Sequence, residues 1–360
     1  VGRIKDHVQA EKILAEGHAD LVGMVRAHIV DPEATNKAQN GRLDDIRKCI
    51  ACNNCIERIF KLHPLLCTQN PATGKERELG HLEPAQRPKK ILVVGAGPAG
   101  MEFGRVAAQR GHTVEIYEKE SEPGGQVRLI CRDPQRLDYD DLRRYQLTQL
   151  EKLGVPIHTE TEVTEDLLKG KMPECLVVAT GSVPRDLTFP VSEQVVPGYD
   201  EAIVINLFDV YRNPENVGPN VLIFDRLGDI RALSTALFLS QMGKNVEVAT
   251  ELFAAGMEAG YTYLPLFYDK LSRSGVKFTP SVVVKEISGQ DVGLMNIFNF
   301  KVETRSNVDS LIPVVPQQAV DGLWRSMKDH IKEAHVIGDA ASPRNLMQAV
   351  HDGFHLGRRT

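Results

Sequence analysis

Cysteine, tryptophan and long apolar runs are all scarce in this chain. It has six cysteines and one tryptophan in 360 residues. No apolar run approaches the roughly 20 residues that span a bilayer, so the sequence offers no membrane-spanning segment. A disulfide-stapled secreted scaffold is excluded as well. Four of the six cysteines crowd into residues 49–67, while Cys131 and Cys175 stand alone. That is the distribution of a metal site in a reducing compartment. An excess of either charge is also missing: 43 basic residues face 48 acidic ones, for a formal net charge of -5. The basic residues are scattered and not interleaved with aromatics, which leaves no electrostatic case for nucleic acid or an anionic membrane. The opening stretch "VGRIKDHVQAEKILAEG" is not a signal peptide. A cytoplasmic location is therefore expected. The chain starts inside a motif, without an initiator methionine, so a piece of a longer protein is expected.

What is present alternates between strand-like and helix-like segments. Residues 8–17 read as a short helix ending at Gly17, and Leu21–Val22 as a buried strand closed off by Pro32. Residues 32–47 read as a polar helix, and "NPATGKERELGHLEPAQRPKK" as a linker with a domain boundary near Arg87. From Lys89 the pattern becomes strand, glycine turn, helix, strand. A second strand–turn–helix–strand run spans 220–250, and "HVIGDAASPRNLMQAV" brings the pattern back near the end. Such alternation predicts an α/β fold with mostly parallel sheets and two nucleotide-binding-like units.

The cysteine group reads C-x2-C-x2-C-x11-C: Cys49, Cys52, Cys55 and Cys67. Thiolates are soft ligands for iron–sulfur clusters and zinc. Zinc sites usually pair their ligands, whereas a triplet plus a distant fourth suits the corners of a [4Fe–4S] cluster, the reading preferred here over zinc. The neighbours Ile50, Ile56, Ile59, Phe60, Leu65 and Leu66 are expected to shield it.

In "ILVVGAGPAG", Gly95, Gly97 and Gly100 follow four apolar strand residues and open a helix, the context a dinucleotide fingerprint requires. Gly95 permits the tight turn, Gly97 lets backbone approach a pyrophosphate, and Gly100 lets the helix pack on the strand. The pyrophosphate would sit on the helix N-terminus. Glu118, at the end of the next strand, is placed to accept from the ribose hydroxyls of a nucleotide lacking a 2′-phosphate. The nucleotide set is extended by Pro98, Ala99, Gly125, Gln126, Val163, Thr180, Gly181, Gly338 and Asp339. Asp339 reads either as a ligand to a ribitol-type hydroxyl or as a simple helix N-cap. The second unit lacks such glycines: in "IFDRLGDIRAL" Gly228 is the only one, and Asp225 stands where a phosphate would want N–H donors. This argues against NAD(P)H there. His28, His63, His335, His351 and His355 read as packed or surface residues.

Together the cysteine block with "CTQNPATG", the "VGAGPAG…EKESEPGGQV" segment and the terminal "VIGDA" resemble the iron–sulfur flavoproteins of the trimethylamine dehydrogenase, histamine dehydrogenase and 2,4-dienoyl-CoA reductase group. The resemblance covers nearly all of this chain but only the C-terminal portion of such a protein. It implies four parts: the end of an FMN-binding (β/α)8 barrel at 1–47, a cluster segment at 48–87, an FAD- or ADP-binding Rossmann-like domain at 88–204 plus 325–360, and an inserted degenerate NAD(P)-binding-like domain at 205–324. "VGRI" resembles the end of the seventh barrel strand and "ADLVGMVRAHIVDP" the eighth, so Gly2, Arg3, Gly23, Met24 and Arg26 are expected at the FMN phosphate. Catalytic residues are expected in the barrel portion outside this sequence, and the chain alone is not expected to turn over. The degenerate second unit resembles the amine dehydrogenase branch. That implies a small amine substrate, an electron-transferring flavoprotein as partner, and a homo-oligomer. The alternatives are an NAD(P)H-dependent enoate or dienoyl-CoA reductase, and a module that only transfers electrons or binds a partner.

Overall fold

The apolar runs Ile91–Val94 and Cys175–Val178 become neighbouring parallel strands buried along their length, as expected where helices cover both faces of a sheet. A computed structural model describes residues 2–360. It divides into two units, one running to Ser182 and resuming over Ala319–Thr360, the other spanning Val183–Gln318. In chain order the strands are β1 (Lys90–Val94), β2 (Thr113–Tyr117), β3 (Ile157–His158), β4 (Cys175–Val178), β5 (Ser182–Pro184), β6 (Asn220–Asp225), β7 (Asn245–Thr250), β8 (Lys277–Thr279), β9 (Val282–Ser288), β10 (Asp291–Asn296), β11 (Val302–Arg305), β12 (Ser310–Val314), β13 (Gln317–Ala319) and β14 (Ala334–Val336).

The first unit is built on a parallel sheet in the order β14-β4-β1-β2-β3. The helix Pro98–Gln109 follows β1, with Pro98 in its first turn, where a missing N–H costs nothing. Its buried face includes Met101, Phe103, Val106 and Ala107. The last helix, Leu346–Arg359, lies against it through glycines: a Cβ on Gly353 would stand 2.3 Å from the Ala99 carbonyl oxygen. The second unit has a parallel sheet in the order β12-β6-β7-β8 and an antiparallel sheet in the order β11-β10-β9. Leu222, Phe224, Ala249, Val284, Leu294 and Leu311 lie in its core. The chain is thus α/β, with a Rossmann-like architecture in both units.

The N-terminal residues depart from the expected pattern. A helix does form over His7–Ala15, capped by Asp6 and followed by Gly17 at φ +70°. Leu21–Val22, however, is no strand, and Leu21 is 87% exposed. Among the described residues no strand pairs there, and a strand without neighbours has nothing to satisfy its backbone or cover its side chains. Val1, in the segment read as a seventh barrel strand, lies outside the described residues; Gly2–Asp6 carry no strand. Over 32–47 only Ala34–Gln39 is α-helical, with a 3-10 turn at Leu43–Asp45.

Candidate functional site

Cys49 and Cys52 sit on a loop whose backbone alternates in hand, and Cys55 lies in the first turn of the helix Asn54–Phe60 that follows. Ala51 and Asn53, the residues before and after Cys52, have φ of 52° and 53°. Left-handed backbone at non-glycine residues is costly and persists only where the surroundings fix it. Here it lets Cys49, Cys52 and Cys55 line one cavity with Cys67, closed by Arg26, Ile29, Val30, Ile50, Asn53, Thr68 and Gln69. Backbone N–H groups serve the sulfurs: Ala51 donates to Cys49 Sγ at 3.4 Å, Asn54 to Cys52, and Gln69 and Asn70 to Cys67. Burial pushes the Cys67 thiol up to about 12 and also raises Cys52 and Cys55. A bare thiolate is therefore disfavoured in this cavity, whereas a bound cation would supply the charge that stabilises it.

"CTQN" anchors the loop. Thr68 and Gln69 are buried. Asn54 donates to Thr68 Oγ1 at 2.8 Å, Gln69 to the Lys48 carbonyl at 2.7 Å, and Asn70 to the Ile29 carbonyl at 3.2 Å. Ile50 packs with Leu142 and Val350, against which Cys52, Tyr139 and Leu346 also rest. Ile59 and Phe60 do not join this shield: they are 57% and 64% exposed. They lie on the outward face of the short helix Asn54–Phe60, for which this chain supplies no cover.

Two residues here had no signal in the sequence. His351 places Nε2 2.8 Å from the Cys67 carbonyl oxygen, across 284 residues. Arg47 donates to the Gln69 carbonyl at 2.5 Å and to Tyr145 at 3.1 Å, with its guanidinium 4.6 Å above the Tyr145 ring. Burial alone would raise the Tyr145 phenol, but Arg47 and Arg105 beside it bring it below its ordinary value.

A second cavity shares Arg26 and Cys49 with the first and is lined as well by Gly2, Arg3, Lys5 and Gly23. Four of the five residues expected at an FMN phosphate are thus gathered in one place. Met24, the fifth, precedes the helix Val25–Val30 as its N-cap residue. The three cations suit an anion. Arg3 and Lys5 already pair with Asp138, at 2.9 and 2.8 Å, while Arg26 bonds the neutral amide of Asn53 at 2.8 Å.

The glycine turn divides its work as steric arithmetic requires. Gly95 has φ +103°, and a Cβ there would stand 2.3 Å from the Ala179 carbonyl oxygen. On Gly100 a Cβ would lie 2.1 Å from the Gly95 oxygen, but on Gly97 it would meet nothing within 4 Å. Space is thus left over Gly97, at the N-cap of a helix, where free N–H groups attract phosphate. Gly125, at φ +53°, brings its backbone beside Gly97, and Pro98 and Ala99 begin the helix. Glu118 is 8% exposed and turns into this loop, accepting from the Ala96 N–H at 2.9 Å. Behind it, Asp339 accepts from Ser182 Oγ at 3.1 Å and from Gln126 Nε2 at 3.4 Å. Asp339 is not the cap of the last helix, a role Asn345 fills. Thr180 donates its hydroxyl to the Val320 carbonyl, and Val320 N–H to the Gly181 carbonyl. Gly338, at φ +63°, faces Ala99, and Val163 is buried in the apolar cluster containing Val94 and Tyr117.

Cys175, Glu333 and His335 also bring ligand atoms within 4.8 Å of one another, but Lys89 already holds Glu333 at 2.5 Å, so the charge there is balanced. No helix among the described residues is long and apolar enough to cross a membrane.

Residues 73–171 match the family described as pyridine nucleotide-disulphide oxidoreductase. The chain is 38% identical over 384 residues to a probable N-methylproline demethylase of Rhizobium meliloti, which covers 98% of this chain and 56% of that protein. It is 31% identical over 397 residues to an N,N-dimethylglycine/sarcosine dehydrogenase of Chromohalobacter salexigens, with the same shares of 98% and 56%. A solved 2-naphthoyl-CoA reductase in complex with 2-naphthoyl-CoA superposes with a TM-score of 0.92 at 32% identity, over 99% of this chain and 53% of that one. The chain is therefore related to flavin-dependent oxidoreductases of the amine dehydrogenase and reductase kind. It spans about half the length of the curated relatives it matches.

Proposed function

We propose that this chain is the C-terminal portion of an iron–sulfur flavoprotein oxidoreductase similar to trimethylamine dehydrogenase. The whole enzyme oxidises a small amine, an N-methylated one, and passes electrons from FMN through a [4Fe–4S] cluster to an external carrier such as an electron-transferring flavoprotein. The observation that carries the reading is the gathering of Cys49, Cys52, Cys55 and Cys67 around one cavity. Zinc sites usually pair their ligands, and a cysteine triplet with a distant fourth suits a larger inorganic body.

When bound, the cluster supplies one-electron exchange beside a two-electron flavin. This chain's residues hold and tune. Cys49, Cys52, Cys55 and Cys67 are the ligands, and the N–H groups of Ala51, Asn54, Gln69 and Asn70 stabilise charge on sulfur. Gly2, Arg3, Gly23, Met24 and Arg26 receive the FMN phosphate. Gly95, Gly97, Pro98, Ala99, Gly100, Glu118, Gly125, Gln126, Val163, Thr180, Gly181, Gly338 and Asp339 form the site for ADP or FAD. The carboxylate of Glu118 favours an adenosine ribose without a 2′-phosphate.

Protein purified without oxygen tests this directly. Iron and acid-labile sulfide are expected in equal amounts and are lost in Cys67→Ser; zinc in their place, or no metal, contradicts the reading. A second reading, an NAD(P)H-dependent reductase, draws on the likeness to the naphthoyl-CoA reductase. Reduction of the full-length flavoprotein by NADH within seconds would establish it.

A further inference from the structure

Strand β6 ends in a carboxylate with no accessible surface. Asp225 is the last residue of β6 and is 0% exposed. Its Oδ1 accepts the N–H of Gly228 at 2.9 Å, and its Oδ2 accepts the N–H of Gly256 at 3.1 Å. The two donors belong to separate loops, the turn after β6 and the segment after β7. Thr250, the last residue of β7, ties the same place together by donating its hydroxyl to the Asp225 carbonyl at 2.7 Å. One residue further along the turn than Gly228, Asp229 caps the helix Ile230–Gln241 and accepts from the Arg231 N–H at 2.9 Å. The Arg231 guanidinium closes over Asp229 at 2.6 Å.

In a strand–turn–helix unit that takes a dinucleotide, N–H groups of the turn and the helix N-terminus face the pyrophosphate. Here the N–H groups of Gly228 and Arg231, and that of Gly256 from the loop after β7, are each satisfied by an acidic side chain of the chain itself. We propose that Asp225 is a resident anion that fills the phosphate cradle of the second unit and, with Asp229 on the helix N-terminus, excludes NAD(P)H. A dinucleotide phosphate brought to this turn would find its donors engaged and would meet a second negative charge in a space closed to water. The inference deepens the outward direction of electron flow in the proposed function. It rests on the fold of the second unit, not on the cluster.

The test uses the full chain with ADP saturating the first turn, and compares wild type with Asp225→Gly and Asp225→Asn. In chloride buffer both variants melt below wild type, since the Gly228 and Gly256 N–H groups lose one acceptor oxygen in Asp225→Asn and both in Asp225→Gly. Pyrophosphate at matched ionic strength then raises the melting temperature of Asp225→Gly by about 2–4 °C and leaves wild type unmoved. NADH binds Asp225→Gly at least about tenfold more tightly than wild type, one tenfold step being the smallest change that bears on specificity. If Asp225→Gly does not fold, the same pyrophosphate comparison is read on Asp225→Ala, which also removes the carboxylate and most of its volume. Equal pyrophosphate shifts in wild type and variant overturn the assignment of Asp225 while leaving the outward direction standing. Reduction of the flavoprotein by NADH overturns the outward direction itself.

Discussion

After β1 the chain enters its helix through Gly95, Ala96 and Gly97; after β6 it does so through residues 226–229. The helix N-cap is Gly97 in the first unit, with open space above it, and Asp229 in the second, occupied by its own side chain. The strand ends differ in the same sense: Val94 is apolar, whereas Asp225 sends a carboxylate into the turn. On the reading proposed above, one fold serves two ends: the open, donor-lined turn takes a phosphate, and the turn filled from within acts as a scaffold.

The buried acids sharpen the contrast. Glu102, on the helix of the first unit, is held by Arg105 through two bonds of 3.0 and 2.6 Å. Burial works against its charge, yet Arg105 holds its carboxyl below the usual range. Asp225 has only N–H donors, and burial pushes it up to about 6. A cation at contact distance outweighs desolvation here; backbone dipoles do not.

The largest effect is expected from separating the paired charges. Arg105→Met strands Glu102 and should cost about 3–5 kcal/mol, while adding Glu102→Leu should recover most of it, as read by urea unfolding. Next comes Gly95→Ala, whose methyl meets the Ala179 oxygen at 2.3 Å on a backbone with positive φ. A loss of about 3 kcal/mol and of bound nucleotide is expected from overpacking and strain together. Smaller is the pH response of Asp225. Its folded pKa lies above the ordinary value of 3.8, so the native state binds the proton more tightly. Stability from this residue therefore rises as pH falls from about 7 towards 4, by on the order of 2–3 kcal/mol. Other acids, such as Asp6 and Asp45, titrate in the opposite sense, so the difference between wild type and Asp225→Asn at pH 7 and pH 5 isolates it.

Legibility in the sequence followed locality. The glycine turn, the cysteine spacing and the odd Asp225 are all local patterns, and each imposes a local geometry that the chain adopts. His351 beside Cys67 and Arg47 beside Tyr145 were invisible because 284 and 98 residues separate them. Leu21–Val22 misled for another reason. An apolar pair reads as a buried strand, but strand formation depends on neighbours, and among the described residues none pairs there. The shield expected from Ile59 and Phe60 failed likewise, since hydrophobicity indicates a preference for cover without supplying it.

The contrast between the two turns is tested most directly by counting nucleotides. Equilibrium binding of ADP and NADH to wild type and to Gly97→Ala, whose methyl meets nothing within 4 Å, separates site from scaffold. A single adenine nucleotide per chain is expected for wild type. Gly97→Ala should weaken its binding about tenfold or more while changing stability by less than about 1 kcal/mol. Two nucleotides per chain, or unaltered binding in Gly97→Ala, would contradict the account.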